Sequence, residues 1–163
     1  MSGNEKRAHR RRLWLFGALT AAVMVFIFCM SAEDGTTSGS LSHSLLGTIV
    51  GRIVRALIPP ASPLTPEFVI RKCAHMFEFA CLNVSAFLFL RELWGRVVPA
   101  GGAGWLWSVL YAATDEWHQT FVSGRAGQLR DVLIDAAGSM IGALLAMGIA
   151  GLVRKKRERR ESA

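Results

Sequence analysis

YAATDEWHQTFVSGRAGQLRDVLID, residues 111–135, decides how the chain is read. It sets Asp115, Glu116, His118, Gln119, Arg125, Arg130 and Asp131 between two strongly apolar segments, 105–113 and 132–153, with Asp135 in the first turn of the second. Away from the ends of the chain, no other run is as dense in groups that titrate or bind. Between apolar flanks, such a run lies at a membrane surface or inside a helix bundle. Lipid makes charge costly there, so charge that persists points to function.

Working outward, the flanks support a membrane reading. The 163 residues suit one domain, and 52% are hydrophobic. The net charge of +7 belongs to the ends. Residues 1–12 and 152–163 each carry a net +4, which leaves the middle at −1. Two short basic ends abutting apolar segments read as membrane-flanking charge. Nucleic-acid binding would need a basic folded face with stacking aromatics, so no nucleic-acid partner is expected. Cys29, Cys73 and Cys81 sit in or beside apolar runs and make no disulfide framework.

The expected fold class is all-α, a polytopic membrane protein with four transmembrane helices and one extracytoplasmic amphipathic helix. The first span, 13–30, is longer than the apolar core of a signal peptide and is retained. The others are 67–90, 103–119 and 131–153. Between the first two, residues 41–58 place Leu41, Leu45, Ile49 and Ile53 on one face and Arg52 and Arg55 on the other. That periodicity predicts an interfacial helix that keeps its arginines wet, or one packed on the bundle, but no crossing. PPASPLTP, 59–66, ends it as a stiff linker. Residues 1–12 and 154–163 flank a domain of 13–153 as basic cytoplasmic tails. The positive-inside rule puts both termini and the Arg91–Arg96 turn in the cytoplasm, which requires an even number of crossings.

With that topology, Arg71, Lys72, His75 and Glu78 meet Asp115, Glu116, His118 and Gln119, and also Asp131 and Asp135, at one depth near the outer surface. Arg71, His75 and Glu78 share a helix face, as do Asp115, His118 and Gln119. Asp131, Asp135, Gly138 and Gly142 form one stripe, and Gly138 with Gly142 is a small-xxx-small pair for helix packing. Seven charged side chains here would together cost roughly 20 kcal/mol facing lipid, so they face each other, water or a ligand. The ligand-binding candidates are Arg71, Lys72, His75, Glu78, Asp115, Glu116, His118, Gln119, Arg125, Asp131 and Asp135. His75, Glu78, Asp115, Glu116 and His118 are of the right type for acid–base catalysis. His75, Glu78, Asp115 and His118 are of the right type for a divalent metal, although no zincin spacing is present. Arg71, Lys72 and Arg125 suit a phosphate or carboxylate.

RKCAHMFEF, 71–79, and YAATDEWHQTFVSGRAGQLRDVLIDAAGSMIG, 111–142, resemble the VanZ-like membrane proteins. The shared residues are Arg71, Lys72, His75, Glu78, Asp115, Glu116, His118, Gln119, Gly124, Arg125, Asp131, Asp135 and Gly138. The resemblance implies a bacterial, multi-pass plasma-membrane protein, in a family named for a member linked to teicoplanin resistance. The leading functional expectation is an outer-facing cluster that binds an anionic envelope component: a lipid head group, a cell-wall precursor or a glycopeptide. The alternatives are an integral-membrane hydrolase or transferase acting on a polar lipid, and a structural anchor whose charges pair among themselves. Whether the protein is an enzyme, and whether it uses a metal, stay open at this level.

Overall fold

Ser2 begins the first helix with a reciprocal cap. Its hydroxyl accepts from the Glu5 backbone N–H, and the Glu5 carboxylate accepts from the Ser2 N–H at 2.5 Å. Helix α1 therefore starts at Gly3 and runs to Ala32, taking the basic cluster into the helix. A computed structural model describes residues 2–33, 47–59, 62 and 64–162. The remaining helices are α2, Ile49–Leu57; α3, Pro66–Trp94; α4, Val97–Gln119; and α5, Leu129–Glu161. No strand occurs among the described residues.

Each boundary has a local cause. Thr65 caps α3 by accepting from the Phe68 N–H at 3.2 Å, with Pro66 in the first turn, where its missing donor costs nothing. Gly95, at φ 66°, ends α3 in the left-handed conformation, and its N–H donates to the Arg91 carbonyl at 2.8 Å. Only Gly95 and Arg96 separate α3 from α4. At the far end, Arg154–Glu158 and Arg157–Glu161 pairs at 3.3 and 2.7 Å carry α5 through the basic tail.

The expectation of four spans is corrected. Three helices, α1, α3 and α5, are long and apolar enough to cross a membrane, and α4 is not among them. Gly101, Gly102 and Gly104 add no apolar area, Ser108 and Thr114 dilute what remains, and Asp115 to Gln119 close the helix with polar groups. The same small residues let α4 pack tightly. Ala100, Gly101, Gly104, Ser108, Ala112, Asp115, Glu116 and Gln119 form its buried stripe.

The amphipathic helix expected over 41–58 is described from residue 47 onward, and there it is the nine-residue α2; residues 41–46 lie outside the described residues. Ile49, Val50, Ile53 and Leu57 are exposed on it, as are Arg52 and Arg55. It touches the bundle through α3. In the linker, residues 60, 61 and 63 also lie outside the description.

Helix α3 is the hub, packing on α5, α4 and α1. A Cβ on Gly138 would come within 2.6 Å of the Met76 Cα, and one on Gly142 within 2.9 Å of the Ala80 Cα. The paired rise of 138 with 76 and 142 with 80 makes α3 and α5 parallel. Helix α4 runs against them, with Gly104 beside Phe87 and Ala112 clustered with Phe79. Helix α1 is antiparallel to α3: Ile27 packs with Phe79, and His9 and Arg12 reach Glu92 at 2.8 Å each. Two core clusters result. Ile27, Phe79, Leu82 and Ala112 lie toward one end, and Phe87, Ala100, Ala146 and Ala150 toward the other. Both basic ends of the chain thus sit at the same end of the bundle. Only 6% of the apolar window of α1 is buried in protein, so that helix turns Trp14, Leu15, Val25 and Phe26 outward.

Candidate functional site at the polar end of the bundle

The opposite end collects the C-terminus of α1, the first turns of α3, the last turns of α4, loop 120–128 and the start of α5. Asp115, Glu116, Gln119, Asp131 and Asp135 are all buried there. Ser31, one residue beyond the expected first span, donates its hydroxyl to Asp115 Oδ2 at 2.8 Å, and Gln119 Nε2 donates to the same oxygen at 2.9 Å. His118 stacks on Phe28 of α1, with ring centroids 4.4 Å apart.

Loop 120–128 is tied back by both its ends. Its Gln128 N–H donates to Glu116 Oε2 at 3.0 Å. A side chain at Gly127 would run into the Glu116 carbonyl, so the close approach of loop to helix needs glycine there. Gly124, at φ 73°, makes the turn before Arg125. Arg125 then donates to the Glu33 and Met30 carbonyls at 3.0 and 3.3 Å and to Gln119 Oε1 at 3.4 Å. It caps the C-terminus of α1, where carbonyls lack helical partners and the helix dipole favours a cation. Burial, followed by the positive charge of Arg71, holds the Arg125 pKa below the usual arginine value, while Asp115, Glu116 and Glu33 pull it back up. Replacing Arg125 with Ala removes all of these ties. Amide hydrogen exchange across 120–128 should then accelerate by tenfold or more, at about 1.5–3 kcal/mol for a charged hydrogen bond. Unchanged exchange would show that the loop is held by its own turns.

Lys72 and Asp131 form an ion pair at 2.5 Å, with Arg130 Nε 3.8 Å from the other Asp131 oxygen. The Phe68 ring lies under both cations, at 5.6 and 5.2 Å. Arg71 is half-buried and makes no hydrogen bond or ion pair among the described residues, but its charge acts on Arg125 and on His75. Arg71 and Glu78 share a helix face without pairing. Glu78 stands within electrostatic reach of Asp115 and Arg125, and Asp135 within reach of Glu116, Asp115, Lys72 and Asp131. His75 Nδ1, Glu78 Oε2, Asp115 Oδ1, His118 Nδ1 and Asp135 Oδ2 are buried without a hydrogen-bond partner among the described residues.

The metal candidates His75, Glu78, Asp115 and His118 do not converge. Among the described residues, no three His, Cys, Asp or Glu side chains stand where they could hold an ion. Gly138 and Gly142 lie on the α3–α5 contact, below the cluster.

Sequence reasoning passed over Ser31, Asn83 and Ser139, all fully buried. Asn83 and Ser139 have side-chain polar atoms without partners among the described residues. Asn83 could have been found as the one amide in the apolar half of its helix, because a polar group at that depth is expensive. Ser139 follows Asp135 by one turn and lay on the stripe already identified.

No curated protein and no solved structure matches the chain. The family model described as VanZ/LLP1 matches residues 16–153, which contain every residue of this cluster. The membrane reading and the resemblance carried by residues 71–79 and 111–142 agree with that match, and the chain belongs to the VanZ/LLP1 family of membrane proteins.

Proposed function

We propose that this protein holds an anionic component of the bacterial cell envelope at the polar end of its bundle. The observation that carries this is Arg71, a half-buried guanidinium with no partner among the described residues, set close enough to Arg125 for their charges to oppose each other. Two like charges held near one another in a poorly solvated site are relieved by an anion between them, and guanidinium suits phosphate or carboxylate. The two basic chain ends share the other end of the bundle. The positive-inside rule then places that end in the cytoplasm and the cluster at the outer face of the plasma membrane. A lipid head group, a cell-wall precursor and a glycopeptide all meet the protein on that side. The family's name connects it with the last of these.

Purified full-length protein in detergent, titrated with phosphatidylglycerol, glycerol phosphate and teicoplanin, tests this reading. At least one should bind saturably, with affinity falling about tenfold in Arg71→Ala and partly retained in Arg71→Lys, in line with about 1.5–3 kcal/mol for a charged hydrogen bond. Equal binding by wild type and Arg71→Ala sinks it.

One observation favours a second reading, a hydrolase or transferase acting on a polar lipid. Glu78 lines a cavity between α1 and α3 and has a buried oxygen without a partner among the described residues. New lipid species formed by the wild type and absent with Glu78→Gln, seen by mass spectrometry, would support it. An unchanged lipid profile counts against it.

A further inference from the structure

Helices α1 and α5 both pack on α3 and leave part of its surface uncovered between them. A cavity of about 610 Å³ lies there, walled by Leu19 and Val23 of α1, Phe77 and Cys81 of α3, and Ile141 and Leu145 of α5. Its polar side chain, Ser85, is already satisfied, donating to the Leu82 carbonyl at 2.8 Å. A second cavity of about 420 Å³ shares Val23, Phe77 and Cys81 with the first and extends along α1 and α3 to Phe26, Ala74 and Glu78. Together they follow α3 from Ala74 to Ser85, about 16 Å at 1.5 Å per residue. One leaflet of a hydrocarbon core about 30 Å thick is about 15 Å deep. The combined groove therefore has the reach of one leaflet, the leaflet at the polar end.

The mouth of the groove has the matching charge. Arg71 precedes Ala74 by three residues and Glu78 by seven, so it continues the same face of α3 toward the surface. Glu78, whose Oε2 has no hydrogen-bond partner among the described residues, lines the groove itself, about 10 Å deeper than Arg71 at 1.5 Å per residue.

We propose that this groove seats one hydrocarbon chain of an anionic membrane lipid, with the lipid phosphate on Arg71. The inference rests on the reading of Arg71 as an anion contact and adds the class of ligand. Charge at the mouth and apolar lining along a leaflet's depth select an amphiphile. A water-soluble anion would use the mouth alone.

The test is photo-cross-linking in vesicles, using phosphatidylglycerol or phosphatidylcholine with a diazirine in the same chain, each at a low and equal mole fraction. Phosphatidylglycerol should label residues 76–85 and 138–145 several-fold more than phosphatidylcholine. Cys81→Trp, which fills the groove, and Arg71→Ala should each reduce labelling to the phosphatidylcholine level. Cys29→Trp, on the exposed side of α1, should not. If Cys81→Trp does not fold, Leu19→Trp blocks the groove from the other wall. Equal labelling by the two lipids, or labelling that survives the block, overturns the inference. Should glycerol phosphate still bind in an Arg71-dependent way in that case, the anion reading stands and only the groove is lost. If neither probe depends on Arg71, both fall.

Discussion

Gly138→Ala should destabilise the bundle by about 3 kcal/mol or more, at the upper end of what overpacking a core costs. The added methyl has no flexible side chain to displace. It meets the Met76 backbone, with the nearest Cα at 2.6 Å, so α3 and α5 must separate along their whole contact. Gly142→Ala, facing the Ala80 backbone, should behave similarly. Gly148 and Gly151 lie further along the same helix with nothing within 4 Å of an added Cβ. Alanine there should be neutral, or stabilise by up to about 1 kcal/mol through helix propensity. Thermal unfolding in detergent, followed by size-exclusion chromatography, compares the four variants. If Gly138→Ala is as stable as Gly148→Ala, helix contact is not what this glycine provides.

Lys72→Ala should cost about 3–5 kcal/mol, the range for breaking a buried ion pair by removing one partner. Most of that is the penalty of leaving Asp131 buried and charged. Arg130 is no substitute, since it is 3.8 Å away and largely exposed. The double variant Lys72→Met with Asp131→Asn removes both charges and should recover most of the loss, because replacing a whole buried pair is often close to neutral. Denaturation midpoints for Lys72→Met, Asp131→Asn and the double variant form a complete cycle. A double variant as unstable as the sum of the singles would mean that Lys72 and Asp131 act independently.

The all-helical class, the membrane setting and the family were legible because each is written over long stretches: an apolar window, a basic flank, a spaced polar motif. What escaped was set by single residues and by packing. Helix α4 carries its apolar character on one side only and buries glycine, alanine and serine on the other. A reading of hydrophobicity along the chain counted it as a span, whereas its composition falls short of one. The helical continuation of α1 and α5 into the basic ends follows from the Ser2–Glu5 box and the Arg154–Glu158 spacing, both visible in the sequence. Around the cluster, the sequence named the ionisable groups, but not their partners. That Ser31 holds Asp115, or that Arg125 spends its guanidinium on the carbonyls of α1, depends on contacts between residues 84 to 95 positions apart. No periodicity reports such contacts. Arg71 and Glu78, neighbours by spacing, turned out not to pair.

Those long separations bear on how the protein is made. Helix α1 is synthesised before the groups that close its end, Asp115 on α4 and Arg125 in the loop that follows. At about 5–20 residues per second, the ribosome takes roughly 5–20 s to supply them. During that interval the Met30 and Glu33 carbonyls and the Ser31 hydroxyl lack these partners. The nascent first helix is therefore an open-ended intermediate, and Arg125 is the residue whose arrival seals it.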